Sequence, residues 1–442
     1  MSRKVGFVPR HLQSQTPNQP KKQSRNDTAA LADLESSVKT ASLEISETSI
    51  VTDPFMDGEP ILAESGCGCG SCGAMCGPTG GGACGHGGWC GPMLYGRVEY
   101  LLWATKGMDS PPLVTSSLAG TAQDQAGVLG QTATSTLFGG DGLNNDMRSG
   151  GRFTLGMWVN PARQIGIEFT HTALEEESQT FAASNFDETI VARPFFNSSL
   201  GEEDSRLIAF PALVNGNVDV VSATEFQTFD ISRRRACLRN CNTHIDYFLG
   251  YRYAELKDYL RIDESTISLA DPTTDTTFQL FDQFKTQSEF FGSVTGFRIR
   301  RQHAPCWSVE LLGKFGIGNT RSRLSVAGST TTTTPDGDSS TRAGGLLTQP
   351  SNIGSIEDNE FSGFSEIGVS IQHQLWCGLT CSVGYSFMYW SDVLRAGNAV
   401  DSVLNPTQIP PNQLVGEARP EVQIDYESFY AQGLRLGFEF AY

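Results

Sequence analysis

Three groups of residues in this chain have the types and spacing that chemistry requires. The first is a run of six cysteines, Cys67, Cys69, Cys72, Cys76, Cys84 and Cys90, set among glycines with His86 beside them. Thiolates and an imidazole can ligate zinc, but structural zinc sites join two cysteine pairs through a longer loop, and this spacing is irregular. The run reads as a flexible spacer, or as a segment cross-linked in an oxidising compartment; no metal site is assigned to it. The second group is His171 with Glu175, Glu176 and Glu177. An imidazole beside a carboxylate can activate water, yet a solvated histidine at a strand end needs no such role. No GxSxG, phosphate-binding glycine loop or zinc-protease helix accompanies it, so no catalytic residue is assigned and a hydrolase built on this histidine is the least of the functional readings. The third group is a set of charged side chains that alternate with apolar ones: Arg97, Glu99, Arg152, Glu168, Asp230, Arg234, Asp246, Arg252, Arg298, Arg300, Glu310, Lys314, Glu366, Arg435 and Glu439.

Alternation at period two places one set of side chains on one face of a strand and the other set on the opposite face. The last residues show it best. Leu434, Leu436, Phe438, Phe440 and Tyr442 face one way, and Gly433, Arg435, Gly437, Glu439 and Ala441 face the other. A terminal strand of this kind, ending on an aromatic residue, is the form of signal by which outer-membrane barrels are recognised for insertion. The same pattern predicts strands near 96–104, 150–160, 165–175, 224–236, 242–256, 285–301, 306–318, 362–375, 379–391 and 428–442. Most of these ten reach the roughly 9 to 11 residues that a tilted membrane strand needs.

Connection lengths sort into two classes. Short turns are predicted at 160–164, 237–241, 302–306 and 376–380. Long segments fall between them, at about 105–149, 176–223, 257–284, 319–361 and 392–427. Short periplasmic turns, long external loops and an even strand number characterise bacterial outer-membrane barrels. The expected fold is therefore all-β: a transmembrane, antiparallel, up-and-down β-barrel of about ten strands. Segments such as 217–221 and 321–326 would raise the number to twelve or fourteen if they paired as further strands. Residues 1–66 are polar and unpatterned and read as disordered, 67–94 as the Gly/Cys spacer, and 95–442 as the barrel. No basic cluster followed by an apolar run stands at the start; an outer-membrane location is expected from the strands alone.

Composition agrees with this reading and excludes others. The 442 residues carry 49 Asp and Glu against 32 Lys and Arg, a net charge of −17, which argues against a nucleic-acid partner. Acidic external loops could instead bind divalent cations. No apolar stretch approaches the roughly 20 residues of a spanning helix, whereas a barrel hides its apolar residues by alternation. The expected surroundings are outer-membrane lipid and the barrel-insertion machinery, with the oligomeric state open and no cofactor.

With the polar face inward, eight positive and seven negative side chains meet inside. A barrel of about eight strands is just filled by its side chains, while porins of 16 to 18 strands hold water. Ten strands fall nearer the filled limit, so a paired network bracing the wall is expected before a pore lining. Two cysteine pairs, Cys237 with Cys241 and Cys377 with Cys381, lie on short turns where strand pairing could close disulfides, with free thiols the equal alternative; Cys306, on a third turn, has no evident mate.

Several segments in order resemble the seventh beta-barrel porin family, best known from planctomycete bacteria. They are EYLLW from Glu99, PPLVT from Pro111, GYRY from Gly250, KFGIGNT from Lys314, GGLLTQPSNIG from Gly344, GYSFMYWSDVLRAG from Gly384 and AQGLRLGFEFAY from Ala431. The resemblance runs from Gly96 to Tyr442 and implies an outer-membrane barrel. PPLVT and GGLLTQPSNIG lie in or beside loops, either packed on loop neighbours or folded into the lumen as a constriction. Two readings of function stand ahead of the rim hydrolase: a porin for passive passage of small solutes or ions, and a closed structural or adhesive barrel that presents its surface loops.

Overall fold

Alternation over long stretches dictates the architecture. The computed structural model describes residues 93–442, apart from 186–189, 241 and 377. The 1–66 segment and the six-cysteine run lie outside the described residues. Ten strands form a closed antiparallel ring: β1 (Leu94–Thr105), β2 (Met147–Trp158), β3 (Ile165–Leu174), β4 (Val214–Arg239), β5 (Thr243–Ser268), β6 (Thr277–Ala304), β7 (Trp307–Thr333), β8 (Gly354–Trp376), β9 (Leu379–Leu394) and β10 (Tyr426–Ala441). Each strand pairs with its sequence neighbours, and β1 closes on β10, with Leu102 opposite Leu434 on one side and Ser149 on the other.

The burial pattern is that of a globular protein turned inside out. Side chains facing outward are apolar and exposed: Val98, Leu155, Ile167, Leu249, Phe297, Leu311, Val369 and Val383 lie between 42% and 57% accessible, as do Leu434, Leu436, Phe438 and Phe440 on β10. Their strand neighbours facing inward are charged and buried. Only a surface solvated by lipid makes this arrangement stable. At the upper edge of the apolar band, aromatic rings meet across β3 to β6, with Phe229 against His171 at 4.2 Å, Tyr253 at 6.1 Å from Phe229, and Phe291 at 5.1 Å from Tyr253. An arginine placed on the lipid face should cost about 2–4 kcal/mol of unfolding free energy near mid-bilayer. Val369→Arg is expected to show this loss in denaturant unfolding from lipid vesicles, and an unchanged midpoint would contradict the assigned orientation of β8.

At one end the connections are short and locally closed. Asn160 Oδ1 accepts from the backbone N–H of Gln164 and Ile165, and Asn240 Oδ1 from those of Asn242 and Thr243. Both ends of the barrel domain meet at this rim, where Leu94 N–H donates to the Tyr442 carbonyl at 3.0 Å. Of the turn cysteines weighed as disulfides or free thiols, Cys237 and Cys381 are free, and Cys241 and Cys377 lie outside the described residues. Cys237 sits at an irregularity in the β4–β5 ladder, between Ala236 opposite Asp246 and Leu238 opposite Ile245, and its thiol donates to the Arg235 carbonyl. Cys381 pairs in register with His373 and Phe438 and donates to the His373 carbonyl. Cys306, which lacked an evident mate in the sequence, is disulfide-bonded.

Toward the other end the strands outrun the bilayer. β4 to β7 contain 26, 26, 28 and 27 residues, more than twice what a bilayer requires. The 257–284 segment, expected as a loop, is therefore the upper part of the β5–β6 hairpin, with only 269–276 left between the strands. Segments 217–221 and 321–326 do pair, but as continuations of β4 and β7, so the ring stays at ten strands. A second, smaller sheet is made wholly from external segments: Pro112–Ser117, Thr134–Gly139, Val191–Asn197, Glu202–Ala209 and Val403–Leu404.

Candidate functional site

The barrel interior is the part of the molecule where charge is concentrated, and it is built in layers. Nearest the short-turn rim, Glu310 accepts from Arg97 Nη1 at 2.8 Å, Arg97 Nη2 at 3.0 Å and Arg300 Nη2 at 2.9 Å. Glu439 is shared by the same two arginines. Beside them Glu168 takes both amino groups of Arg298, at 2.8 and 3.0 Å, and the Tyr95 hydroxyl at 2.7 Å. Tyr95 reaches across because Gly156 faces it; a Cβ there would lie 1.9 Å from the Tyr95 ring. Arg234 bonds Asp246 at 2.5 Å, with its guanidinium over the rings of Trp158 at 4.6 Å and Tyr95 at 5.0 Å. These rings give the largely buried cation an attractive face.

One step further in, Arg252 makes a two-pronged bond to Asp230, at 2.5 and 2.6 Å, and donates to Glu366 at 2.7 Å. Arg152 pairs with Glu366 at 2.9 Å, Lys314 with Asp230 at 2.9 Å and Arg435 with Glu99 at 3.2 Å. All fifteen charged residues picked out by alternation lie on the interior face, twelve of them under a tenth exposed and Arg234, Arg300 and Glu439 partly so. Arg239, at the rim, joins Asp246 as well.

Above the ion pairs an apolar layer crosses the lumen: Trp103, Phe226, Phe290, Phe364, Trp390 and Phe429 are each at most 2% exposed and cluster together. Their rings lie 5.0 to 6.0 Å apart in the pairs Phe226–Phe429, Phe290–Phe364 and Phe290–Trp390. Higher still, Arg395, from the segment after β9, bonds Asp258 of β5 at 2.5 and 3.2 Å, with both side chains fully buried. External segments then fill the upper barrel. Leu113, Val114, Leu143, Val191, Leu346 and Leu347 pack on inward residues of the long strands, among them Leu260, Phe284 and Val326.

A single carboxylate fixes this upper packing. Asp282 of β6 accepts from the backbone N–H groups of Leu346, Leu347 and Thr348, at 3.3, 3.1 and 2.9 Å, and from the Thr348 hydroxyl at 2.6 Å. It also takes Arg193 Nη2 at 2.6 Å, while Glu264 binds Arg206 at 2.6 Å. The segments PPLVT and GGLLTQPSNIG thus belong to the filling of the upper barrel rather than to free loops.

The family described as Putative beta barrel porin-7 matches residues 95–442. The chain belongs to that family. No curated relative matches it by sequence. Among solved structures it is similar to the outer membrane protease OmpT from Escherichia coli, at 9% identity and a TM-score of 0.38, over 80% of this chain and 98% of that one. It is also similar to a Pseudomonas aeruginosa FadL homologue, at 8% identity and a TM-score of 0.21, over 80% and 90%. The toluene transporter TodX of P. putida matches at 7% identity and a TM-score of 0.17, over 79% and 90%.

In this porin-7 barrel, His171 does not join a carboxylate in a reactive pair. It faces outward from β3 and stacks on Phe229. Glu177 contacts Arg148 at 3.3 Å, and Glu176 is held above the usual carboxylate range by a hydrogen bond with Glu225. Among the described residues no group of three or more His, Cys, Asp or Glu is placed to hold a metal ion. Sequence reasoning missed the upper polar residues Asp258, Glu264, Asp282, Arg193 and Arg395. For the three acidic residues a signal was present, since they keep the inward parity of β5 and β6 beyond Tyr253 and Phe291.

Proposed function

We propose that this member of the porin-7 family is a closed outer-membrane barrel whose work is done by the surface that its external segments build. The observation that carries the reading is the filling of the interior. Ion pairs, an aromatic layer, a second polar layer and inserted loop residues follow one another up the lumen, the first two contributed by strands from around the ring and the last two completed by external segments. An open pore of the general diffusion kind instead leaves an aqueous channel, in barrels of many more strands. The length of β4 to β7 supports the same reading, because wall extending beyond the bilayer adds nothing to passage but lifts and braces a display platform. Among the described residues His171 stacks on Phe229 rather than on a carboxylate, and the proposed function is a non-enzymatic one. The apolar band would be solvated by outer-membrane lipid, and β10, ending in Phe438, Phe440 and Tyr442, would present the strand that insertion machinery engages.

Passive passage of solutes or ions, the reading that the family's description favours, is the alternative this proposal must beat. Electrical recording across a planar bilayer separates them. Silence from folded, inserted protein is expected, and stable conductance steps would overturn the closed reading.

A further inference from the structure

The interior charges do not balance locally. Within salt-bridge distance, Arg152, Arg252, Lys314 and Arg435 reach Asp230, Glu366 and Glu99, four cations on three carboxylates where every side chain is at most 6% exposed. A buried, uncompensated charge costs several kcal/mol, so the wall should supply a counter-ion position. Arg435 marks the place. Its Nη1 bonds Glu99, while Nε and Nη2 have no hydrogen-bond partner, although the residue is 2% exposed. The hydroxyls of Ser370 and Ser386, 2% and 0% exposed, also lack partners, as does Arg252 Nη1.

Arg435, Ser370 and Ser386 meet on one patch of inner wall. Gly384 pairs in register with Ser370 on one side and Arg435 on the other, and Gly368 pairs with Ser386. A Cβ on Gly384 would lie 3.0 Å from Arg435 Nε and 2.6 Å from Ser370 Cβ; one on Gly368 would lie 3.1 Å from Ser386 Oγ and 3.2 Å from Arg435 Nη2. The glycines are what let the guanidinium lie along the wall beside both hydroxyls. On the short-turn side of the patch, a cavity of about 140 Å³ is lined by His244, Arg300, Ser308, Gln372 and Thr380. Ser370 and Gly368 are the next inward-facing residues of β8 beyond Gln372.

We propose that Arg435, with the Ser370 and Ser386 hydroxyls, forms a binding site for a small monovalent anion of the halide class inside the barrel wall. Guanidinium N–H and hydroxyl groups are donors suited to such an ion, and its single charge cancels the local excess. The proposal does not depend on whether the lumen conducts.

Crystals of the full-length protein grown in bromide provide the direct test. An anomalous peak within hydrogen-bonding distance of Arg435 and Ser386 is expected, and an ordered water there without anomalous signal would overturn the proposal. In solution, the denaturation midpoint should be higher in chloride than in gluconate at equal ionic strength. Ser386→Ala, which leaves the ion pairs intact, should weaken halide affinity about tenfold or more, the worth of one hydrogen bond to a charged group. Equal midpoints in the two salts, or a halide dependence untouched in Ser386→Ala, would likewise overturn it.

Discussion

Glu310→Ala should lower the unfolding free energy by about 3–5 kcal/mol, the range for breaking a buried ion pair by removing one partner. The size follows from what the change leaves behind. Glu310 is fully buried and takes three charged hydrogen bonds, two from Arg97 and one from Arg300, with Arg298 Nε at 4.0 Å. Without it, Arg97 and Arg300 have only Glu439 between them. Arg97 is desolvated and Arg300 partly so, and the charge stranded on Arg97 costs more than the lost attraction. A double-mutant cycle with Arg300→Met separates the pair from its surroundings, with a coupling of about 0.5–3 kcal/mol expected. Equilibrium unfolding in urea from detergent micelles or vesicles measures both, and a Glu310→Ala loss near zero would mean that water reaches this layer freely.

Asp282→Ala should produce the second large effect, about 3–5 kcal/mol locally, but with a different signature. Here the carboxylate holds a loop to the wall through three backbone N–H groups and the Thr348 hydroxyl, besides its bond to the fully buried Arg193. Its removal strands Arg193 on Glu264 at 3.5 Å and releases the 344–353 segment. Amide hydrogen exchange should quicken at Leu346, Leu347 and Thr348 while the lower strands keep their protection, as expected when one unit opens without global unfolding. Unchanged exchange at these three amides would show that apolar packing of Leu346 and Leu347 holds the segment without Asp282. The lower ion pairs and the aromatic layer are untouched by this change, so the variant should remain closed.

The membrane-embedded half of this fold was legible because two solvents act on it. Lipid outside and neighbouring side chains inside force a clean alternation, as in Leu434, Leu436, Phe438 and Phe440 against Arg435 and Glu439. Once a strand rises past Tyr253 or Phe291, its outer face meets water. Lys257, Tyr259, Arg261 and Asp263 then stand outward while Asp258, Leu260, Ile262 and Glu264 stand inward. With polar residues on both faces the signal resembles a loop, and so 257–284 was read as one. The filling of the upper barrel was harder to see for another reason. Asp282 meets Leu346 to Thr348, and Arg395 meets Asp258, across separations of 64 to 66 and 137 residues; no local pattern encodes such contacts. The turn cysteines show a third case: the sequence leaves a disulfide and free thiols equally open, because strand register and the irregularity at Cys237, which set where its thiol stands, are not written in cysteine spacing.

Whether the barrel is closed is the central question, and single-channel recording of the full-length protein in a planar bilayer answers it most directly. Insertion should first be established by a folded electrophoretic form and by protection of the strands from protease. Under those conditions the filled interior predicts a flat current at neutral pH for the native protein, and the same flat trace for Asp282→Ala. Repeated, uniform conductance steps from the native protein would contradict the account and return the ion-pair layers to the role of a pore lining.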